Sequence, residues 1–137
     1  MRLNIVDSSG WIEYFQDTYR ADIFEPAILD SHHLIVPAIS IYEVHKRLSQ
    51  LSPASIVDEC IAVMQKARVA NLTPERAVAA SHIAIKHQLA MADAMMYAIA
   101  LEFDALFWTQ DVDYKGLPNI EFHAKNTNWI SSNLRIK

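Results

Sequence analysis

Apolar residues fall into two spacings along this chain, and the switching between them is its main structural signal. Short, largely apolar runs at residues 3–6, 33–36, 68–72, 105–108 and 120–122 have the length and the content of Val, Ile, Leu, Phe and Trp of strands buried on both faces. Between them apolar positions recur every three or four residues. That spacing predicts a helix carrying Trp11, Ile12, Tyr14 and Phe15, then helices over residues 21–29, 42–51, 55–66 and 74–87, and one around Asp93. Ser8-Ser9-Gly10 supplies turn and cap chemistry for the first helix, and Ser40 can cap the third once Pro37 has broken the strand before it. Pro26 falls inside the second helix and leaves its boundary open. Thr73-Pro74 is a strong helix start, with Thr73 as N-cap and Arg76 where a capping box carries an acid.

Strands alternating with helices imply a three-layer α/β/α fold around a central parallel sheet of about five strands. Ligands in such sheets bind beyond the carboxyl ends of the strands. The 137 residues suit a single domain, 1–137, with a core to about residue 124. The tail over 125–137 is polar with Trp129, Ile130, Leu134 and Ile136 interspersed, and is expected to dock on the body or on a partner.

Composition narrows the class. Hydrophobic residues make up 52% and charged residues 20%, which argues against disorder and for a partner covering some apolar surface. Lys and Arg are scattered and the net charge is −4, so the footprint of a general DNA binder is missing. The single cysteine, Cys60, excludes an intramolecular disulfide and a cysteine-based zinc cluster. Apolar runs fall short of a membrane span, and Met1 leads into a strand rather than a signal peptide, so the expected location is the cytoplasm.

Against this background the carboxylates stand out. Asp93 lies in the apolar stretch Met91-Ala-Asp-Ala-Met-Met-Tyr-Ala98, where a charge needs a partner, a cap or a wet cleft. Asp7 follows one strand, Asp111 and Asp113 follow another, and Glu43 sits among apolar residues in Ile39-Ser-Ile-Tyr-Glu-Val44. Two carboxylates about 4 Å apart repel by roughly 4 kcal/mol at an effective dielectric near 20. A hard cation relieves that repulsion, and magnesium or manganese takes such oxygen ligands. Subtracting these five charges from −4 leaves +1, so outside the cluster the chain is nearly neutral. One or two such ions can activate a water for in-line attack on phosphorus.

At these residues the chain resembles a known family. Asp7-Ser-Ser-Gly-Trp-Ile12, Glu43 in Ile39-Ser-Ile-Tyr-Glu-Val44, Ala92-Asp-Ala-Met-Met-Tyr-Ala98, and Thr109-Gln-Asp-Val-Asp113 with Gly116-Leu-Pro118 are similar to the PIN domain, in particular to the VapC toxins of toxin–antitoxin pairs. The resemblance implies that Asp7, Glu43, Asp93 and Asp111 form a catalytic acidic quartet holding magnesium or manganese. Asp113 would be an auxiliary ligand or stand behind the others, and Ser9 and Thr109 would orient them or their waters. It also implies endoribonuclease cleavage of cellular RNA, an antitoxin that blocks the site and brings in DNA only indirectly, and a homodimer. The helix bearing Glu43 continues Val44-His-Lys-Arg-Leu48, where many relatives have small residues.

Other readings stay in view. Any one acid can be a cap or a solvated residue, and Ser9 and Thr109 are common turn formers. Lys46, Arg47 and Lys115 are candidates for phosphate contact or simply solvated charges. No two of the six histidines have helical ligand spacing. The methionines at 91, 95 and 96 are expected in the core, as is most of the Trp11, Tyr14, Phe15 cluster. A catalytically silent PIN-like module that binds RNA or protein is the main alternative. A Toprim-type fold would use Asp111 and Asp113 as its pair but wants a glutamate where Asp7 stands. A phosphoacceptor receiver-like domain would need an aspartate after the third strand, where Thr73-Pro74 follows instead.

Overall fold

Ile5 and Val6 are neighbours in sequence, both inaccessible to water, and they belong to opposite sides of the molecule. The same holds for Ile35 and Val36, and Phe107 and the partly buried Trp108 likewise face opposite sides. Side chains of a strand alternate between faces, so strands apolar at every position are what a sheet covered on both sides requires.

A computed structural model describes residues 2–125. In chain order the elements are β1 (Asn4–Val6), α1 (Ser8–Phe15), α2 (Ala21–Leu29), β2 (Ile35–Pro37), α3 (Ala38–Ser49), α4 (Ala54–Met64), β3 (Arg68–Ala70), α5 (Pro74–His87), α6 (Met91–Glu102), β4 (Leu106–Thr109) and β5 (Ile120–Phe122). Short 3-10 turns at Ser31–His33 and Val112–Tyr114 precede β2 and follow β4. β1, β4 and β5 form a parallel three-stranded sheet with β4 in the middle, and β2 and β3 form a parallel pair. A parallel bridge between Asn4 and Leu34 joins the two groups, giving the order β3-β2-β1-β4-β5. The five expected strands are therefore present, bonded as three plus two.

One core contains Ile5, Ile35, Phe107 and the inner residues of α5 and α6, including Ala80, Met96 and Tyr97. The other contains Val6, Val36, Trp11 of α1, Phe24 of α2, Val44 and Leu48 of α3, and Val57 and Met64 of α4. Each fully buried aliphatic side chain contributes about 1.5–3 kcal/mol. These two cores are the helical layers above and below the sheet, as the sequence predicts.

Several boundaries differ from expectation, and the reasons are local. α3 begins at Ala38 rather than near residue 42, because Pro37, at φ −60° and ψ 139°, ends the strand and serves directly as the N-cap residue. Ser40 is consequently inside the helix, fully buried, and caps nothing. Pro53 acts likewise at α4, which covers Ala54–Met64. Ser8 and Gly10 are helical rather than part of a turn. β4 extends through Thr109, one residue past the predicted end, and His33 belongs to a turn rather than to β2. Thr73 caps α5 as predicted, its hydroxyl accepting the Arg76 N–H at 3.2 Å, and Arg76 instead pairs with Glu102 of α6 at 2.9 Å. Met91 is exposed, so of the three methionines only Met96 is fully buried. The expected docking of Trp129, Ile130, Leu134 and Ile136 lies outside the described residues.

Gly10 is fixed by a close approach. A Cβ there would sit 2.7 Å from Phe24 Cδ1 and 2.7 Å from Val6 Cγ1, both on side chains with no exposure. Neither can withdraw, so Gly10→Ala is expected to lower stability by about 1–3 kcal/mol through overpacking. Urea denaturation would check this, and an unchanged midpoint would contradict the packing described.

Candidate active site

β1 and β4 run parallel with Val6 opposite Trp108, and their carboxyl ends deliver Asp7 and Asp111 to the same edge of the sheet. The Asp7 N–H donates to the Trp108 carbonyl at 2.9 Å, so Asp7 is held by the last rung of the ladder. Glu43 comes from α3. Ser40, Val44 and Leu48 form the buried stripe of that helix, and Glu43, three residues from Ser40, lies at its margin, half-buried. Asp93 comes from the first turn of α6, where the N-terminal end of the helix dipole favours a negative charge.

These four acids line one cleft of about 640 Å³. Carboxylate oxygens of Asp93, Asp111 and Asp113 lie within 4.8 Å of one another. Neighbouring groups orient the set. Thr109 Oγ1 donates to Asp7 Oδ2 at 2.8 Å and accepts the Asp111 N–H at 3.0 Å. Ser8 Oγ donates to Glu43 Oε1 at 2.8 Å. Asp111 Oδ1 accepts the Asp113 N–H at 2.9 Å, capping the turn that carries Asp113. The buried Tyr114 hydroxyl donates to the Asp93 carbonyl at 3.1 Å.

Burial, reinforced by repulsion from Asp93 and Asp111, pushes the Asp7 carboxyl up to about 7 despite the opposing bond from Thr109. Burial and repulsion from Asp111 and Glu43 push Asp93 up to about 6. Burial and the same acids push the Tyr114 phenol up as well, keeping it neutral. Such a cluster is unfavourable as bare anions and becomes favourable around a multivalent cation. The donors are all oxygen, as magnesium and manganese prefer, with no imidazole or thiolate among the clustered ligands. Ser9 also lines the cleft, and its buried hydroxyl has no hydrogen-bond partner among the described residues. The residues present therefore fit a hard divalent cation.

All five acids named from sequence are thus brought together, although Asp113 is exposed and, while beside Asp93 and Asp111, does not itself line the cleft. Thr109 touches two of them. Ser9 faces the cleft without bonding an acid. The three candidate cations do not line it: Lys46 lies over the Tyr42 ring, Arg47 bonds Gln50 beside it, and Lys115 lies over Phe122. The sequence reading missed Ser8, Gln110 and Lys125, which do line the cleft. Ser8 carries a signal in its place between Asp7 and the helix, but in sequence that place reads equally as a cap.

Known structures share this architecture. A toxin–antitoxin complex from Klebsiella pneumoniae matches at TM-score 0.73 and 15% identity, over 85% of this chain and 94% of that one. DNA-bound VapBC from Salmonella typhimurium matches at TM-score 0.70 and 14% identity, over 90% and 98%. VapC20 of Mycobacterium tuberculosis, described as a sarcin–ricin loop cleaving toxin, matches at TM-score 0.65 and 13% identity, over 94% of each chain. At these identities the likeness is one of fold. A comparison of the sequence with curated proteins finds no match. The PIN domain family model matches residues 5–119, a span that holds all five acids, and the chain belongs to that family.

Proposed function

We propose that this chain is an endoribonuclease dependent on magnesium or manganese and acting as the toxin of a toxin–antitoxin pair. The observation that carries the reading is the convergence of Asp7, Glu43, Asp93 and Asp111, from four separate elements, on one cleft. In this reading those four, with Asp113 as auxiliary, hold the cation. When bound it would neutralise the carboxylates, polarise a phosphoryl oxygen and lower the pKa of a water. Thr109 keeps Asp7 turned into the cleft and fixes the backbone of Asp111, while Ser8 fixes Glu43. Ser9 offers its unpaired hydroxyl to a water or a phosphate oxygen. Attack by water rather than by the ribose 2′-hydroxyl leaves products with a 5′-phosphate and a 3′-hydroxyl.

The toxin role is supported by the fold shared with VapBC and VapC proteins. The partner would be an antitoxin that occupies the cleft, and DNA would be reached only through it, as suits a chain of net charge −4. A homodimer is supported by the exposed apolar side chains Val78 and Ile85 of α5 and Met91 of α6, the last of which lines an apolar hollow between the two helices. Among the described residues no helix is long and apolar enough to cross a membrane, and action in the cytoplasm fits an RNA substrate.

The test is cleavage of total cellular RNA by partner-free protein with magnesium or manganese, with EDTA and with Asp7→Asn and Asp93→Asn as controls. Discrete metal-dependent cuts bearing 5′-phosphates, lost in both variants, are expected; absence of cutting by folded protein at every metal concentration would favour the silent binding module.

Thr109→Val keeps the shape of the side chain and removes both hydrogen bonds. Residues that orient metal ligands typically contribute 10–100-fold in affinity, so a loss of that size in manganese affinity is expected by calorimetry. Unchanged affinity would mean that Thr109 only shapes the end of β4.

A further inference from the structure

Arg20, just before α2, is an arginine only 5% exposed and lies outside the lining of the acidic cleft. Its Nε donates to the Gln110 amide oxygen, its two terminal nitrogens donate to the carbonyls of His123 at 2.8 Å and Ala124 at 3.3 Å, and Glu13 lies 3.8 Å from Nε. Gln110 closes the network by donating to Glu13 at 2.9 Å. One planar guanidinium thus ties the segment between Thr109 and Asp111 to the chain that leaves β5. Burying such a group is expensive, and packed apolar side chains often give equal or greater stability. What the fork supplies is geometry.

The chain so held leads directly to Lys125, which lines the acidic cleft together with Ala124. Among the described residues Lys125 is the one Lys or Arg that lines the cleft, and no described carboxylate lies within ion-pair distance of it. A cleft walled by carboxylates repels a polyanion even when a cation neutralises part of the charge, so an ammonium at its mouth has a physical task.

We propose that Lys125 contacts a phosphate of a single RNA strand entering the cleft, and that Arg20 is the positioning residue that sets it there. The inference rests on the nuclease reading and assigns one side of its substrate path. Each backbone carbonyl that Arg20 holds lies within two residues of Lys125, so the direction of the chain at the cleft's mouth is fixed from beneath, while the lysine side chain stays free to follow the phosphate.

The experiment measures cleavage kinetics in magnesium, and anisotropy of a fluorescein-labelled 12-nucleotide RNA in calcium, for wild type, Lys125→Ala, Lys125→Arg, Arg20→Lys and the double variant Arg20→Lys/Lys125→Ala. Arg20→Lys keeps the buried charge beside Glu13 and loses the fork. Lys125→Ala is expected to raise KM and weaken RNA binding by about three- to tenfold with kcat held, and to reduce the slope of log affinity against log salt by about 0.7, the share of one phosphate contact on a single strand. Lys125→Arg should restore both. In the Arg20→Lys background, removing Lys125 should cost less than half as much, which a purely structural arginine would not produce. Normal KM and salt slope for Lys125→Ala in a protein that binds and cleaves RNA would overturn the inference and leave the nuclease reading intact. Failure of the wild type to bind or cleave RNA would overturn both. If Arg20→Lys does not fold, the two Lys125 variants still decide the phosphate contact, and a normal salt slope there overturns it.

Discussion

Asp7→Asn is expected to make the metal-free protein more stable at pH 8 while abolishing its metal-dependent chemistry. An unfolded aspartate titrates near 3.8, whereas in the fold burial raises Asp7 to about 7. Between those values the folded chain holds a proton that the unfolded chain has released. The associated stability is fully present below 3.8 and is lost as pH rises through 7. A shift of that size corresponds to something on the order of 4 kcal/mol. Asparagine is neutral throughout and its amide oxygen can still accept the Thr109 hydroxyl, so the loss should largely disappear. Asp93 acts in the same direction but more weakly, because its carboxylate is partly wet and screened. Glu102, held low by Arg76, acts oppositely, but it is exposed and solvent screens its contribution. Thermal denaturation in EDTA at pH 5 and pH 8 would show a wild-type Tm that falls with pH and an Asp7→Asn Tm that falls less. Equal pH slopes would show that Asp7 is not under the strain described.

Divalent cation should turn that pH trend around, and this is the second large effect. Carboxylates bind metal only when deprotonated, so affinity rises with pH over the range in which the free cluster becomes less stable. A ligand at a hundred times its Kd adds about 2.7 kcal/mol to the stability of the folded state. With manganese in excess, Tm should rise or hold steady from pH 5 to pH 8, diverging upward from the falling curve measured in EDTA. Asp93→Asn and Asp111→Asn each remove a member of the triad whose oxygens lie within 4.8 Å, and should abolish the divergence. Parallel curves with and without manganese would mean that the cluster takes no cation in this pH range.

The layered fold was legible because its signals are local. Apolar residues at consecutive positions such as Ile5-Val6 and Ile35-Val36 define strands covered on both sides, and Thr73-Pro74 caps a helix whatever its tertiary setting. The acids were legible because each is out of place in its own segment. Their helpers were not. Ser8 reads as a cap until Glu43, 35 residues away, is brought within 2.8 Å of it. Arg20 reads as a surface cation until α2 and the end of β5 enclose it, and its partners lie 90 to 104 residues further along. Lys46 and Arg47, one helical turn on from Glu43, share a neighbouring groove with it and stay out of the cleft, while Lys125 reaches the cleft from a distant part of the chain. Properties carried by one residue and its neighbours can be read directly; pairings across the fold await the register of the strands.

The strands are only three or four residues long. So few ladder hydrogen bonds cannot hold a sheet by themselves, and its persistence depends on the two cores that clamp it. Asp7 sits immediately past this short ladder, with its amide bonded to Trp108 and its residue enclosed between the layers. Freeing Asp7 therefore requires the two layers to part. The Asp7 amide should exchange its hydrogen with solvent on the timescale of the slowest core amides, so that this one ligand position lasts as long as the layered fold around it.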